Sequence, residues 1–291
     1  MNRRAHEQSL PFVKMQGLGN DFVILDGRET PLDLTADDAR AIADRHLGVG
    51  CDQVITLQPS KHADVFMRIQ NADGSEAGAC GNVTRCVAKI LMAETGKHNA
   101  TIETLFDVLK ADTAETGEIA VDMGVPRLEW NEIPLACEMD TAAMELEATF
   151  PDGRRVSSPV GVNIGNPHAV FFVDDVESLD IASVGPPLEH DALFPERANI
   201  SFAEIHGAET IRLRVWERGA GITMACGSAA CATLVAARRR GLVTGGADIV
   251  VDGGTLHIDW LKNGHVIMTG PAEESFRGTL DLATLGKGRA A

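Results

Sequence analysis

The chain has 291 residues, of which 44% are hydrophobic and 23% charged, as is typical of a folded globular protein with room for two ordinary domains. No apolar run approaches the roughly 18 residues that cross a bilayer, so the sequence predicts no membrane segment. The formal net charge of −16 argues against general nucleic-acid binding.

The first half of the chain is predicted to consist mainly of strands with one prominent helix. It begins with the polar stretch Met1–Pro11, which lacks a signal-peptide core and is expected to be a disordered extension of a cytoplasmic protein. Thr35 is the predicted N-cap of a helix, and a longer helix should end before Gly96. The predicted elements are a strand within Phe12–Leu25, the helix Thr35–Arg45, the strand Asp64–Gln70, the helix Asn82–Glu94, and strands at Thr101–Glu103, Val108–Ala111 and Ile119–Met123.

The second half follows the same plan. Its predicted elements are strands at Ala169–Val173 and Ile211–Trp216, a helix at Ser228–Arg240 closed by Gly241, and a hairpin with its turn at Asn263-Gly264. Residues 125–157 join the halves and carry a hairpin signal at Asp152-Gly153. Residues 271–291 are expected to return and pair with the first domain.

A shift of 146 residues superimposes the two halves without a gap from about residue 12 to residue 124. It places Leu18-Gly19-Asn20 on Ile164-Gly165-Asn166, and the Ala-Cys-Gly step at Cys80 on the one at Cys226. The sequence therefore predicts an α+β fold of two pseudo-symmetric domains, each a mixed or antiparallel sheet wrapped around a central helix. The predicted domains are residues 10–126 with 272–285, and residues 127–271.

Cys80 and Cys226 each stand immediately before a predicted helix, where free backbone N–H groups and the helix dipole favour a thiolate. Glycines at 81 and 227 let a ligand approach the backbone, and the same amides would bind a carboxylate. Two such thiols on opposite sides of one carbon are what a racemase or epimerase requires.

The cysteine pattern of the chain predicts neither structural disulfide bonds nor a zinc site. The start of the chain carries no secretion signal, which makes structural disulfides improbable. The spacings of Cys80 to Cys86 and of Cys226 to Cys231 do not match a zinc motif. We expect the other thiols to be small buried hydrophobes, namely Cys51, Cys86, Cys137 and Cys231.

With these features in place, the sequence resembles the diaminopimelate epimerase family over about residues 12–282. The matching motifs are Gly17-Leu18-Gly19-Asn20-Asp21-Phe22, Gly48-Val49-Gly50-Cys51-Asp52-Gln53, Asn71–Glu76 running to Cys80-Gly81-Asn82, Asn166-Pro167-His168, and Glu217–Gly221 running to Ala225-Cys226-Gly227. The resemblance implies interconversion of LL- and meso-diaminopimelate, a small-molecule substrate, without pyridoxal phosphate, another cofactor or a metal. A homodimer is left open.

The resemblance also implies roles for individual residues. Cys80 and Cys226 would be the acid/base pair, and His168 and Glu217 would tune the two thiols. The implied substrate-binding residues are Asn20, Gln53, Asn71, Gly81, Asn82, Asn166, Asn199, Glu217, Arg218, Gly227 and Ser228. The shift of 146 supports this set independently, because it pairs Asn20 with Asn166, Gln53 with Asn199 and Asn71 with Glu217.

The chain departs from the usual family pattern at Ile222, Met224, Ser228 and Cys51. Ser228 keeps the hydroxyl of the usual threonine, whereas Ile222 puts in doubt some polar support of the second loop. Two alternatives stay open at this point. A proline or hydroxyproline epimerase would leave Arg218 superfluous, and a non-catalytic amino-acid-binding module would have no use for two thiols. A nucleotide-binding protein is weaker, since Phe22 occupies the place of the third glycine in G-x-G-x-x-G.

Overall fold

The computed structural model describes residues 9–78 and 80–285. The chain forms two compact units: unit 1 holds the described residues up to Val121 and from Pro271 onward, and unit 2 is Asp122–Gly270. The sequence placed these divisions after residues 126 and 271.

Unit 1 is a mixed sheet with two helices. Its strands are β1 (Ser9–Gly17), β2 (Asn20–Asp26), β3 (Gln53–Gln58), β4 (Val65–Asn71), β5 (Glu76–Ala77), β6 (Asn99–Glu103), β7 (Val108–Thr113), β8 (Ile119–Asp122, at the unit boundary) and β19 (Glu273–Asp281), and its helices are α1 (Ala36–Ala43) and α2 (Gly81–Thr95). The pairing order is β19-β1-β2-β3-β4-β6-β7, with β5 also on β4. The pairs β2–β3 and β4–β6 are parallel, and the others are antiparallel.

The start of β1 corrects the expectation of a disordered extension. Ser9, Leu10 and Pro11 pair with residues 279–281 of β19, and Leu10 is buried. The C-terminal strand β19 returns to pair with β1 and thereby orders this stretch. Residues 1–8 of the predicted extension lie outside the described residues.

Unit 2 repeats the plan of unit 1. Its strands are β9 (Glu147–Thr149), β10 (Arg155–Ser157), β11 (Val160–Asn163), β12 (Pro167–Phe172), β13 (Asn199–Ile205), β14 (Thr210–Glu217), β15 (Gly221–Ile222), β16 (Ala247–Val251), β17 (Gly254–Trp260) and β18 (Val266–Gly270), and its helices are α3 (Ile181–Glu189) and α4 (Gly227–Arg239). The pairing order is β11-β12-β13-β14-β16-β17-β18, with β15 also on β14. Here β12–β13 and β14–β16 are the parallel pairs. The equivalent strands of the two units thus pair in the same directions, which confirms the predicted internal duplication.

Helix α3 was not expected from the sequence. Pro186 and Pro187 lie inside it, and proline removes an amide donor and usually ends a helix. Burial holds this helix in place, because Ile181, Val184 and Leu188 enter an apolar core with strands β12 and β13. The shift of 146 residues places α1 on α3, so the internal repeat could have predicted this helix.

The two faces of the unit 2 sheet have different coverings. Ala169 and Phe171 of β12 face the α3 core, so the alternation of the strand turns His168 toward the side that α4 covers. Helix α4 is buried along most of its length and is rich in alanine, which lets it pack closely against the strands. No helix among the described residues is long and apolar enough to span a membrane.

Candidate active site

Each of the two predicted thiols is the N-cap residue of a helix. Cys80 precedes α2 and Cys226 precedes α4, both with extended backbone angles. In neither case does the side chain cap the helix by a hydrogen bond to it. The thiols therefore stand where the first amides of a helix point outward, as the sequence predicted.

The environment of Cys226 favours the protonated thiol. The residue is 5% exposed, and its Sγ lies 3.4 Å from Oγ of Ser228. Burial, followed by the nearby carboxylate of Glu217, raises the pKa of Cys226 well above its ordinary value and outweighs the opposing effects of Ser228 and the Ala229 amide. The sequence-based expectation of a lowered pKa is thus wrong for Cys226 in this state, because desolvation exceeds the effect of the helix terminus.

Glu217 is held by a neighbour on its own loop. The hydroxyl of Thr223 donates to its carboxylate. The charge of Glu217 contributes to the raised pKa of Cys226 and so favours the protonated thiol. The tuning of a catalytic thiol by Glu217 stays a prediction.

Cys80 is partly exposed and lies beside Asn20. Its Sγ is 3.8 Å from Asn20 Oδ1, a carbonyl oxygen that only accepts hydrogen bonds. The contact is therefore one in which the thiol of Cys80 donates. The hydroxyl of Thr84, one turn into α2, donates to the Cys80 carbonyl at 2.9 Å and fixes the start of the helix.

Charged residues fix the amide orientations around Cys80. Asn20 Nδ2 donates to Asp52 Oδ2 at 2.8 Å, and Asn82 Nδ2 donates to Asn20 Oδ1 at 3.4 Å. The buried guanidinium of Arg85 donates to Asn82 Oδ1 at 3.1 Å. A carboxylate only accepts hydrogen bonds and a guanidinium only donates them. The side-chain amides of Asn20 and Asn82 therefore have only one possible orientation each, and the Asn20 carbonyl oxygen faces Cys80.

Asp52 belongs to an ionic cluster that sequence reasoning did not assign to the site. Arg45 binds both Asp52 and Asp21, and Lys14 lies 2.6 Å from Asp21. Burial would raise the pKa of Asp21, but hydrogen bonds from Arg45 and Lys14 lower it to about 2. The two aspartates lie within the family motifs quoted above. Their charge partners, Lys14 on β1 and Arg45 just after α1, are not revealed by any local pattern.

Gln53 and Asn71 form a second polar pair in unit 1. Gln53 Nε2 donates to Asn71 Oδ1 at 2.9 Å, and Asn71 Nδ2 donates to Ser75 Oγ at 3.0 Å. Gln53 Oε1 is buried and accepts no hydrogen bond from any residue that the structure describes. An oxygen of this kind can accept a hydrogen bond from a ligand amine.

In unit 2, His168 is fully buried and neutral. Its Nε2 lies 2.8 Å from Asn166 Oδ1, and burial, aided by the charge of Arg218, lowers its pKa to about 3. The accepting oxygen of Asn166 places the ring proton on Nε2. A neutral ring supplies no positive charge to a thiolate, so this contact favours a role in orienting Asn166. The predicted tuning of a thiol by His168 stays a prediction.

Asn199 secures the backbone of the Arg218 loop. Its Oδ1 accepts from the Arg218 amide at 2.9 Å, and its Nδ2 donates to the Pro167 carbonyl at 3.1 Å. Arg218 Nη1 donates to the Glu196 carbonyl at 3.0 Å. Each group of the Asn199 side chain keeps a further lone pair or hydrogen, so binding of substrate by Asn199 stays a prediction.

The structure thus joins the predicted residues into local groups within each unit. In unit 1 these are Cys80 with Asn20 and Asn82, and Gln53 with Asn71; in unit 2 they are Asn166 with His168, Asn199 with Arg218, and Cys226 with Ser228 and Glu217.

The other cysteines divide in a different way than expected. Cys51, Cys86 and Cys231 are buried as predicted, but Cys137 is exposed, because it lies in the irregular segment of unit 2 that precedes β9. Within residues 9–78 and 80–285, no group of three or more His, Cys, Asp or Glu side chains is placed to hold a metal ion.

The sequence matches the profile of the family described as diaminopimelate epimerase over residues 12–129 and 160–274. The chain belongs to the diaminopimelate epimerase family. The diaminopimelate epimerase of Acidiphilium cryptum is 55% identical over 94% of this chain and 98% of its own length. That of Rhodospirillum centenum is 54% identical over 94% of this chain and 93% of its own.

Solved structures show the same fold in proteins with other names. A PhzF-family phenazine biosynthesis protein of Bacillus anthracis has a TM-score of 0.64 at 16% identity, covering 94% of this chain and 99% of its own. A hydroxyproline epimerase of Agrobacterium vitis has a TM-score of 0.63 at 14% identity, covering 94% and 91%. These identities establish the fold alone, whereas the family match gives the reaction. As a diaminopimelate epimerase, an isomerase independent of pyridoxal phosphate, the chain interconverts LL- and meso-2,6-diaminopimelate in lysine biosynthesis.

Proposed function

We propose that Cys80 and Cys226 are the acid/base pair of this epimerase, one thiol removing the proton from the α-carbon and the other returning a proton. The observation that carries the proposal is their equivalent position: each is the N-cap of the same helix in one copy of the repeat. A packing motif needs no second thiol at the matching place, whereas inversion without a cofactor needs two proton-transfer groups.

The protonation states suggest a division of labour. Cys226, whose pKa is raised by burial and by Glu217, carries the proton and is the acid in one direction. Cys80 is then the base in that direction, and the roles exchange in the reverse reaction. Removal of Glu217's influence, for example by a substrate amine that pairs with the carboxylate, would lower the pKa of Cys226.

The helix termini supply the binding site for the reacting carboxylate. The amides of Gly81, Asn82, Gly227 and Ser228 stand in the first turns of α2 and α4, at the positive ends of the helix dipoles. Such amides bind a carboxylate and stabilise the negative charge that develops when the α-carbon loses its proton.

Diaminopimelate has a second amino-acid end, and several polar side chains of the proposed binding set suit it. Arg218 has further N–H groups beyond the one that binds Glu196, and a guanidinium pairs with a carboxylate through two parallel hydrogen bonds. Glu217 and the amides of Asn71, Asn166 and Asn199 offer acceptors for the second amine. Asn20 and Gln53 complete the proposed substrate-binding set.

The proposal is tested with purified protein, LL-diaminopimelate and no added cofactor in D2O. We expect meso product with deuterium at the inverted carbon, because the returned proton comes from a second thiol that has exchanged with solvent. Cys80→Ala and Cys226→Ala should each lower kcat by about 10²-fold or more. Cys137→Ala is the matched control, since this exposed thiol lies outside every local group of the site. An active Cys80→Ala or Cys226→Ala enzyme would refute the two-thiol assignment.

We further propose that the enzyme works in the cytoplasm and binds no nucleic acid, in keeping with its net charge of −16. A homodimer is also proposed, and sedimentation of the purified protein tests it directly.

A further inference from the structure

Glu189, the last residue of α3, is a buried carboxylate at the edge of the predicted substrate loop. Its side chain is only 4% exposed. Oε2 accepts from Trp216 Nε1 at 2.8 Å, and Oε1 accepts from the Gly219 amide at 3.0 Å. Arg197 Nη1 lies at 3.4 Å and is the weakest of the three donors. A carboxylate buried to this degree is stable only when such donors surround it.

The two strong donors flank the residues proposed to bind substrate. Trp216 immediately precedes Glu217, and Gly219 immediately follows Arg218. The segment is a tight turn, in which the Ala220 amide donates to the Glu217 carbonyl at 3.1 Å. The Glu189 carboxylate therefore bridges the turn, with one oxygen bonded on each side of Glu217 and Arg218.

A second contact couples α3 to the same turn. The indole ring of Trp216 lies against Gly185, where a Cβ atom would collide with it. Helix α3 thus holds Trp216 both by close packing and through Glu189. Since the ring is anchored at two points, the start of the turn has little freedom to shift.

We propose that Glu189 is a positioning residue of the epimerase that fixes the geometry of Glu217 and Arg218. This inference rests on the proposed function of those two residues. Glu189 touches neither substrate nor reacting atoms; it acts through the backbone of Gly219 and the indole of Trp216. Asn199 holds the Arg218 amide from the opposite strand, so the turn is secured from β13 and from α3.

Replacing the Glu189 carboxylate by an amide removes one of its hydrogen bonds to the turn while keeping the size and shape of the side chain. Glu189→Gln keeps the shape, but its NH2 group must face one of the two N–H donors that now bind the carboxylate. That donor loses its partner, and the turn loses one of its two anchors. We expect KM for diaminopimelate to rise about tenfold and kcat to change less than threefold. The reason is that the substitution weakens substrate binding more than it slows proton transfer.

A second measurement is the rate at which the Cys226 thiol is alkylated. Glu217 raises the pKa of Cys226, so a displaced turn should make Cys226 react faster with iodoacetamide near neutral pH. Alkylation is compared where denaturant titration shows both proteins fully folded, so that a faster reaction reports the displaced turn and not exposure of the buried Cys226 by unfolding. Trp216→Phe, which removes the indole donor but keeps a ring against Gly185, should shift both readouts in the same direction by a smaller factor.

Glu94→Gln is the matched control. Glu94 lies in the last turn of α2 in unit 1, binds Arg28 and is about half exposed. Its replacement should leave KM, kcat and Cys226 alkylation unchanged. The inference is overturned if wild-type enzyme is active while folded Glu189→Gln and Trp216→Phe both keep wild-type KM and Cys226 reactivity. An inactive wild-type protein would instead refute the proposed function itself.

Discussion

At His168 and Cys226, burial changes the pKa in opposite directions and leaves both side chains uncharged. Desolvation lowers the pKa of the imidazole and raises that of the thiol, since in each case it disfavours the charged form. At Cys226 the hydrogen bonds of Ser228 and of the Ala229 amide, at the start of α4, lower the pKa, but by less than burial raises it. The sequence identifies both residues, but their charge states depend on packing that only the fold defines.

The buried neutral histidine should make the protein sensitive to mild acid. The pKa of His168 is about 3 in the fold against an ordinary 6.5, so its stabilising contribution is present above pH 6.5 and is lost as the pH falls toward 3. The free energy of unfolding should drop by about 1.5 kcal/mol between pH 6.5 and about pH 5 through this group. His168→Phe, which installs the residue found at the equivalent Phe22, should flatten this slope. Denaturant titrations of both proteins across this range give the measurement, and equal slopes would contradict the account.

The sequence predicted the residues of the site better than the contacts that support them. Cys80, Cys226 and the paired amides follow from the repeat, because equivalent residues of a duplicated unit share a place in the fold. Asp52 and Glu189 do not, since their donors come from segments distant in the chain. A carboxylate looks the same in the sequence whether it is exposed to solvent or bridges a turn.

Among the elements, helices with clear end signals were predicted closely. Thr35 caps α1 with a reciprocal bond to Asp38, and Gly96 ends α2 in the left-handed conformation. Helix α3 was missed because two prolines contradict a helix locally, while the core contacts that override them are non-local. Local signals therefore define an element only where tertiary packing agrees with them.

Gly96 offers a clean test of a helix end. Its φ is +70°, and a Cβ would meet no atom within 4 Å, so Gly96→Ala strains the backbone without a clash. We expect a loss of about 1 kcal/mol in the free energy of unfolding. Gly245→Ala is the control, because a Cβ there also meets nothing within 4 Å and its φ lies outside the left-handed region. It should be neutral or slightly stabilising. Equal effects of the two changes in denaturant titrations would show that conformation at Gly96 is not what ends α2.

For the whole molecule, the internal repeat is the feature that organises both fold and chemistry. The 146-residue shift predicted two copies of one topology, and the parallel and antiparallel pairs of each unit agree strand by strand. The shift could not predict the divergent parts, such as the β9–β10 hairpin or the returning strand β19. Both parts lie outside the ranges that the shift superimposes, residues 12–124 on 158–270, and so they leave no internal similarity to detect.

The central claim is that Cys80 and Cys226 act on one carbon, and their cross-linking tests it most directly. Without substrate, thiols that serve one site should be able to form the roughly 2.05 Å bond of a disulfide, whereas a bound substrate separates them. We expect oxidation to inactivate the enzyme, a thiol reductant to restore it and diaminopimelate to protect it. Peptide mapping of the inactivated enzyme should then show Cys80 joined to Cys226. The other thiols should remain reduced, namely Cys51, Cys86, Cys137 and Cys231. A reversible inactivating disulfide between any other pair, with Cys80 and Cys226 both free, would contradict the account.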